Sequence, residues 1–144
     1  MRHMQSFSII GESQMLRFGA RLIAQLSAGQ VVCLTGDLGA GKTTLVRGMI
    51  QSLLGPIDVP SPTYTLVQTY EGPEFELWHC DVYRLEKPED GYELGLIEAF
   101  EDALCLIEWP DKIEPLIPED ALHINIAFEG EGRKLTMTGF KGIT

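Results

Sequence analysis

The sequence predicts an α/β fold with a parallel central sheet, helices on both faces of that sheet, and antiparallel hairpins. A chain of 144 residues has the size of one domain with one hydrophobic core. The segment Val31–Thr35, which reads VVCLT, is apolar enough for a central parallel strand, and a glycine-rich loop and a helical pattern follow it at once. Two pairs of apolar segments, within 64–83 and 122–140, each enclose a turn, as hairpins do.

The first part of the chain switches between strand and helix patterns. Phe7–Ile10 is a short strand candidate, and Glu12–Leu26 places apolar residues at helical spacing. After the strand Val31–Thr35 and the glycine-rich loop, Thr44–Leu54 continues as a helix that ends at Gly55-Pro56. This order predicts that the loop joins a central strand to a helix.

The second part of the chain contains both hairpins. The segments 64–70 (YTLVQTY) and 75–83 (FELWHCDVY) predict the first, and 122–128 (LHINIAF) and 133–140 (RKLTMTGF) predict the second. Between them we expect a short helix within 88–102 and a second apolar strand within 103–111 (ALCLIEWPD), which ends in a carboxylate. Because no repeat, low-complexity tract or linker interrupts the pattern, residues 1–144 are expected to form a single domain.

The composition is that of a globular protein outside the membrane. Hydrophobic residues make up 44% of the chain, and no apolar run approaches the roughly 18 residues that a membrane span needs. The N-terminal stretch MRHMQSFSIIGESQ has no long apolar segment and no small-residue cleavage site, so we expect a cytoplasmic protein without membrane association. Cys33, Cys80 and Cys105 lie in apolar stretches without paired spacing, which favours buried reduced thiols over a metal or redox site.

The net charge of −10 is unevenly distributed. Residues 1–70 hold five Lys or Arg and three Asp or Glu, whereas residues 71–144 hold six and eighteen. Because lysine and arginine contacts to phosphate dominate affinity for nucleic acids, this balance predicts no strong direct binding of a nucleic acid. Two interpretations of the acidic half stay open, a solvated surface and a docking surface for a basic partner.

The stretch GDLGAGKTT matches the phosphate-binding pattern G-x-x-x-x-G-K-[ST] in the context that supports it, between a predicted strand and a predicted helix. It comprises Gly36, Asp37, Leu38, Gly39, Ala40, Gly41, Lys42, Thr43 and Thr44. Glycines let backbone N–H groups turn toward a phosphate, and the helix N-terminus adds partial positive charge. Lys42 is expected to reach the β- and γ-phosphates, and Thr43 to offer its hydroxyl to Mg²⁺.

Phosphate-loop enzymes also use a carboxylate at the end of a neighbouring strand to hold Mg²⁺. Asp81 and Glu108 both follow apolar strand segments, and the spacing alone does not distinguish them. His79, which alternates with apolar neighbours, is interpreted as a hydrogen-bonded core residue without a catalytic role. Asn125 is the single asparagine and lacks the Asn-Lys-x-Asp context of guanine readers, which favours ATP over GTP.

Four stretches in order along the chain resemble the TsaE (YjeE) family, small bacterial ATPases required to form threonylcarbamoyladenosine in tRNA. They are GDLGAGKTT at 36–44, VPSPTYTLVQTY at 59–70, HCDVYRL at 79–85 and IEWPD at 107–111. Together they are more specific than the loop alone, and they identify residues 1–144 as a P-loop ATPase domain. The chain departs from the family at Met15, where a threonine is frequent, while Glu12 is retained on the adenine side.

The resemblance implies roles for several further residues. Ser61-Pro62-Thr63 is similar to a switch-like segment beside the γ-phosphate, and Asp81 resembles the carboxylate that orients this switch or the attacking water. Glu108 resembles the Mg²⁺-facing acid. Trp109 either packs in the core or covers the nucleotide, and Arg133 either reaches the base or ribose or is a solvated hairpin residue.

The resemblance also implies partner proteins. Members of the family work with the TsaD and TsaB proteins, which hold the threonylcarbamoyl transfer site, and the ATP cycle keeps that assembly turning over. The acidic half agrees with this, because a protein of net charge −10 would bind tRNA poorly by itself. The alternative is a small-molecule kinase, which needs an acceptor pocket and usually an arginine-bearing lid, and the second half offers few arginines for one.

Overall fold

The computed structural model describes residues 3–139, which form seven strands, four α-helices and one 3₁₀ helix. The elements are β1 (His3–Ile9), α1 (Gly11–Ile23), β2 (Val31–Gly36), α2 (Lys42–Leu54), β3 (Val67–Glu71), β4 (Glu76–Asp81), α3 (Asp90–Glu93), α4 (Leu96–Asp102), β5 (Leu104–Glu108), the 3₁₀ helix Pro110–Leu116, β6 (Leu122–Glu129) and β7 (Gly132–Gly139). Among these residues, none of the helices combines the length and the apolar composition that crossing a bilayer requires.

All seven strands belong to one sheet, in the order β1-β7-β6-β2-β5-β4-β3. The four central strands β6, β2, β5 and β4 are parallel neighbours, whereas β1 and β7 on one side and β3 on the other are joined in antiparallel pairs. This confirms the predicted fold class, a parallel central sheet with antiparallel hairpins. The parallel pairing brings the carboxyl ends of β2, β4 and β5 to one edge.

The sheet is buried on both faces because its central strands are apolar on both. Val32 and Leu34 of β2 face a core that α1 and α2 complete, while Val31 and Cys33 face a second core shared with α4 and the 3₁₀ helix. Helices on both faces were predicted from this near-continuous apolar character. All three cysteines are buried and none of them forms a disulfide within the described residues, as expected.

The end of α1 and the start of α2 differ from the prediction. Helix α1 ends at Ile23 rather than Leu26, because Gln25 N–H and Leu26 N–H bond to carbonyls only three residues back and the chain leaves the α-helical path. Helix α2 begins at Lys42, two residues before the predicted start, since Leu45 N–H already donates to Gly41 O at 2.9 Å. The loop lysine therefore lies in the first turn of the helix.

Two predicted elements in the second half are modified and a third is confirmed. Strand β3 starts at Val67, because Leu66 N–H donates to Pro62 O at 2.8 Å and closes a turn in which Leu66 has a φ of 69°. The single helix expected within 88–102 is two short helices, separated at Gly95 with a φ of 79°. The hairpin of β6 and β7 is confirmed as far as Gly139, and its last predicted residue, Phe140, lies outside the described residues.

Helices α1 and α2 touch backbone to backbone. A Cβ atom on Gly48 would lie 2.3 Å from Leu16 O, and one on Gly19 would lie 2.5 Å from Leu45 O. Helices can approach this closely only where neither carries a side chain at the crossing, so this pair of glycines sets the position of α2 against α1. Because the loop leads directly into α2, the crossing also positions the loop.

Gly48→Ala should therefore destabilise the protein, although alanine favours the helical state. A methyl group that meets backbone atoms cannot be relieved by a side-chain rotation, and overpacking of this kind costs about 1–3 kcal/mol. Urea unfolding followed by circular dichroism measures the loss, with Ser52→Ala on the exposed side of the same helix as the control. An unfolding midpoint for Gly48→Ala equal to that of the wild type would contradict the close crossing.

Candidate nucleotide-binding site

The loop 36–41 connects the carboxyl end of β2 to the N-terminus of α2. Helix α2 is 13 residues long, and Gly41, which precedes its first residue, has a left-handed conformation with a φ of 115°. The unpaired N–H groups of such a helix start favour an anion, and the sheet edge places two carboxylates opposite the same loop. The loop therefore has the local geometry that the sequence motif predicts.

Lys42 is folded over its own loop. Its ammonium group donates to Gly36 O and, at 3.4 Å, to Asp37 O, and it lies 4.1 Å from the centre of the Trp109 ring. Burial lowers the pKa of Lys42, and the carboxylates of Glu108, Asp81 and Asp37 oppose that shift. A cation is thus held at the loop in a partly desolvated position, where its attraction to an anionic ligand is stronger than in water.

Asp81 and Glu108 end the neighbouring parallel strands β4 and β5 and are register partners. Only 5% of Asp81 and 3% of Glu108 is exposed to solvent. The two carboxylates have different hydrogen-bond partners, which distinguishes two residues that sequence spacing alone did not. Glu108 lies beside the first turn of α2, and Asp81 lies beside the segment that precedes β3.

Glu108 is the acid next to the loop threonine. The Thr43 hydroxyl donates to the Glu108 carboxylate, with Oγ1 at 3.2 Å from Oε2 and 3.4 Å from Oε1. A hydroxyl and a carboxylate at this separation are the type of oxygen ligands that Mg²⁺ accepts, and few protein ligands are needed because phosphates and water complete its shell. These two residues therefore fit a magnesium ion bound together with a nucleotide.

Asp81 is tied to the switch-like segment instead. Its Oδ1 accepts from Tyr83 N–H at 3.0 Å, and its Oδ2 accepts from the Thr63 hydroxyl at 3.4 Å. Thr63 in turn shares a hydrogen bond of 2.8 Å with Ser61. Burial, with a smaller effect of Glu108, raises the pKa of Asp81 above its usual range, and the bonds from Tyr83 and Thr63 oppose that rise. The structure thus places Thr63 in contact with Asp81, the pair that the resemblance associates.

Two small cavities flank the loop. One, of about 200 Å³, is lined by Lys42, Thr43, Thr63, Asp81, Glu108 and Trp109 together with Ser61 and other loop residues. The other, of about 230 Å³, is lined by Glu12, Met15, Glu131 and Arg133. Gly39, Gly41 and Thr44 line both, so one extended ligand would span them across the loop. A larger groove of about 920 Å³ between β1 and α1 contains neither loop residues nor carboxylates.

The second cavity contains the residues expected on the adenine side. Arg133 is not a solvated hairpin residue, because it donates to Ala40 O at 3.0 Å and to Gly39 O at 3.4 Å and so supports the loop from β7. Glu12 lies exposed in the first turn of α1, and Met15 is buried one turn later. A thioether at this position offers packing rather than a hydroxyl bond.

Trp109 and Leu38, two further expected site residues, line the first cavity, and Asp37 precedes Leu38 in the loop. Trp109 is half-buried and belongs to neither core; its ring lies over Lys42 and 4.9 Å from the ring of Tyr83. Leu38 lines the cavity but is 88% exposed to solvent. Asp37 is exposed, and its carbonyl accepts from Lys42.

Sequence reasoning missed that His79 contacts the candidate site. It is fully buried and hydrogen-bonded, as predicted for a core residue, but its partner is Glu108, with 2.6 Å between Nε2 and Oε2. The alternation of side chains along a strand could have indicated this position. Because alternate residues of a strand share a face, His79 lies on the same side of β4 as Asp81, toward α2.

Comparisons with known proteins identify the family of the chain. The family model for "Threonylcarbamoyl adenosine biosynthesis protein TsaE" matches residues 10–135. Relatives described as "tRNA threonylcarbamoyladenosine biosynthesis protein TsaE" include one from Rickettsia bellii, 39% identical over 94% of this chain and 95% of the relative. Those from Haemophilus influenzae and Bacillus subtilis are 41% and 40% identical, over 88% and 82% of this chain and 84% and 78% of the relatives.

A solved structure gives the same result for the fold. The crystal structure of YdiB from Bacillus subtilis superposes with a TM-score of 0.83 at 30% identity, covering 98% of this chain and 88% of that one. The motifs expected from the resemblance, at 36–44, 59–70, 79–85 and 107–111, all lie within the matched residues. The chain belongs to the TsaE family, whose members take part in tRNA threonylcarbamoyladenosine biosynthesis and have a P-loop NTPase fold.

Proposed function

We propose that this chain works as one P-loop ATPase domain, which binds and slowly hydrolyses ATP with Mg²⁺ as an accessory protein of tRNA threonylcarbamoyladenosine modification. Its nucleotide state would switch its grip on the TsaD and TsaB proteins. The observation that carries the proposal is the meeting of Lys42 and Thr43 with Glu108 and Asp81 at one edge of the sheet. Family membership supports the pathway, and this geometry supports the chemistry.

Phosphate binding would rest on the loop backbone and on Lys42. The N–H groups at the start of α2 and those of the loop other than Ala40 N–H, which donates to Asp37 O, would provide donors. Lys42 would turn from Gly36 O toward the phosphate oxygens. Thr43 and Glu108 would hold Mg²⁺, which neutralises charge that develops on the transferring phosphoryl group. Glu12, Arg133 and Met15 would surround the adenine end in the second cavity.

Asp81 and Thr63 would form the catalytic switch. A carboxylate buried beside the phosphate cavity is placed to accept a hydrogen bond from an attacking water and to orient it. Thr63 bonds to Asp81 and lines the same cavity, so a change at the phosphate end would reach the segment Ser61–Thr63 through this bond. Segments of this kind carry nucleotide state to a partner by becoming ordered or released.

We infer that hydrolysis depends on a partner protein from the positions of the positively charged side chains. Among residues 3–139, the cavity beside Lys42 is lined by no arginine, since Arg133 bonds to the loop carbonyls and Arg84 lies over the Tyr64 ring. Phosphate-loop proteins without such a residue hydrolyse slowly until a partner supplies one or orders the site. The acidic second half would face the TsaD–TsaB pair, with no strong direct binding of tRNA.

Lys42→Ala should reduce ATP hydrolysis at least ~100-fold, because it removes the cation that would follow charge on the β- and γ-phosphates. Steady-state phosphate release measures the loss. The matched control is Lys87→Ala, which removes an exposed lysine distant from the loop and should leave turnover unchanged. Wild-type turnover in purified Lys42→Ala would show that the ATPase site lies elsewhere.

Asp81→Asn should slow hydrolysis and also stabilise the folded protein at neutral pH. Burial raises the pKa of Asp81 in the folded protein above its unfolded value, so the folded state holds this proton more tightly. The contribution of Asp81 to stability is therefore greatest below the unfolded pKa and is lost as pH rises through the folded pKa. Asparagine keeps the size and an acceptor oxygen for Tyr83 N–H, its amide group can donate to the Thr63 hydroxyl, and it avoids the buried charge.

Thermal unfolding followed from mildly acidic to neutral pH checks this prediction. The midpoint of Asp81→Asn should exceed that of the wild type by an amount that increases with pH, whereas Asp120→Asn, at an exposed carboxylate, should show no such trend. Phosphate release by the same samples gives the loss of activity. Earlier unfolding of Asp81→Asn at neutral pH would mean that the carboxylate stabilises the fold.

Adding TsaD and TsaB together should raise ATP turnover well above the low basal rate, and higher salt should weaken the association. Phosphate release is measured with both proteins, with each alone and with tRNA added separately; Lys42→Ala in the same mixtures controls for contaminating ATPases. A kinase would respond instead to one small hydroxyl compound. A phosphorylated product of that kind, with no effect of the two proteins on turnover or binding, would overturn the proposal.

A further inference from the structure

A short buried polar contact beside the site joins two neighbouring strands. His79 of β4 and Glu108 of β5 have side chains that are 0% and 4% exposed, and their Nε2 and Oε2 atoms are 2.6 Å apart. The residues two positions earlier on the same face, Leu77 before His79 and Leu106 before Glu108, are apolar core residues. Burying a polar pair here costs desolvation that an apolar residue at position 79 would avoid, so stability alone does not explain the histidine.

The second ring nitrogen shows which tautomer the contact uses. Nδ1 of His79 is buried and has no hydrogen-bond partner among the described residues. A proton on Nδ1 would leave a buried donor unsatisfied and, in the neutral ring, would turn a bare Nε2 toward a carboxylate oxygen. The neutral tautomer with its proton on Nε2 avoids both problems. In that state His79 donates one hydrogen bond, to Glu108.

We propose that His79 is a positioning residue that fixes the Glu108 carboxylate next to the Thr43 hydroxyl for magnesium binding. This inference rests on the proposed function, in which Thr43 and Glu108 hold Mg²⁺. The bond from His79 reaches Oε2, and the same carboxylate lies 3.2 Å and 3.4 Å from Thr43 Oγ1 through its two oxygens. His79 is not among the residues that line the cavity beside Lys42, so its bond holds the carboxylate without taking a place in that cavity.

Glu108 needs such support because little else holds it. It is the last residue of β5, and Trp109 immediately turns the chain with a φ of 60°. Thr43, its other hydrogen-bonding neighbour, would itself be a metal ligand and so could not fix the carboxylate beforehand. Residues that hydrogen-bond to a metal-ligating side chain set the orientation of that side chain, and their removal typically lowers metal affinity 10–100-fold. For His79 we expect a loss of ~10-fold in metal affinity.

The test compares three substitutions of one residue with substitution of the acid itself. Glutamine can place an amide N–H near the position of His79 Nε2, asparagine is too short to do so, and leucine removes the donor. Calorimetry gives the affinity for a non-hydrolysable ATP analogue with Mg²⁺ and with a chelator, and the ratio of the two is the readout. We expect the ratio to fall ~10-fold in His79→Asn and His79→Leu, with the chelator value unchanged, and to recover in His79→Gln.

Glu108→Gln separates failure of the inference from failure of the proposed function. If Glu108→Gln leaves the ratio intact, Glu108 is not the metal acid, and both fail. If Glu108→Gln lowers the ratio while His79→Asn and His79→Leu do not, His79 is a core residue and only the inference fails. The same conclusion holds if those variants weaken binding equally with Mg²⁺ and with the chelator, or if His79→Gln does not recover.

One readout needs neither nucleotide nor substitution, and so remains if a variant fails to fold. Long-range proton–nitrogen NMR correlation of the wild-type protein at neutral pH distinguishes the ring tautomers of histidine. We expect a proton on Nε2, where it can be donated to Glu108. A ring with its single proton on Nδ1 would overturn the proposed contact, because a bare Nε2 has no proton to donate to the carboxylate.

Discussion

The parallel register of β2, β5 and β4 is the constraint on which the site depends. Leu34 pairs with Glu108, and Glu108 pairs with Asp81, so three strands end together beneath the loop that follows β2. Side chains alternate between the faces of a strand, so a slip of one residue would turn a carboxylate away from α2 and into the opposite core. The apolar residues on both faces oppose that slip, because it would also exchange the two cores. Core packing therefore specifies the chemistry.

The site also contains costs that the rest of the fold must offset. Asp81 and Glu108 are buried, and burial shifts the pKa of Asp81 upward and that of Lys42 downward. Two non-glycine residues with left-handed backbones, Leu66 and Trp109, lie next to these groups, and such conformations cost of order 1–3 kcal/mol each. Leu66 O accepts from Asp81 N–H, and Trp109 N–H donates to Leu34 O, so both strained residues are fixed to the strands that carry the site.

The sequence allowed the fold class and the loop to be predicted because both depend on local signals. VVCLT, the glycine motif and the helical pattern after it are contiguous, and the two apolar strands each end in a carboxylate. Which carboxylate lies next to Thr43 depends on contacts between residues 65 positions apart, and local spacing carries no such information. The support of the loop by Arg133, 93 positions from Ala40, and the turn at Leu66 also arise from tertiary packing.

The balance of charge around Lys42 explains why the site would depend on added cations. Glu108, Asp81 and Asp37 all act on one lysine, and two of these carboxylates end neighbouring strands. A nucleoside triphosphate adds several negative charges to this surface, and a low-dielectric site makes their repulsion stronger than it is in water. Mg²⁺ next to Glu108 would offset part of that repulsion at the point where the carboxylate is fixed. Under the proposed function, a cation from a docked protein would offset the rest of that repulsion.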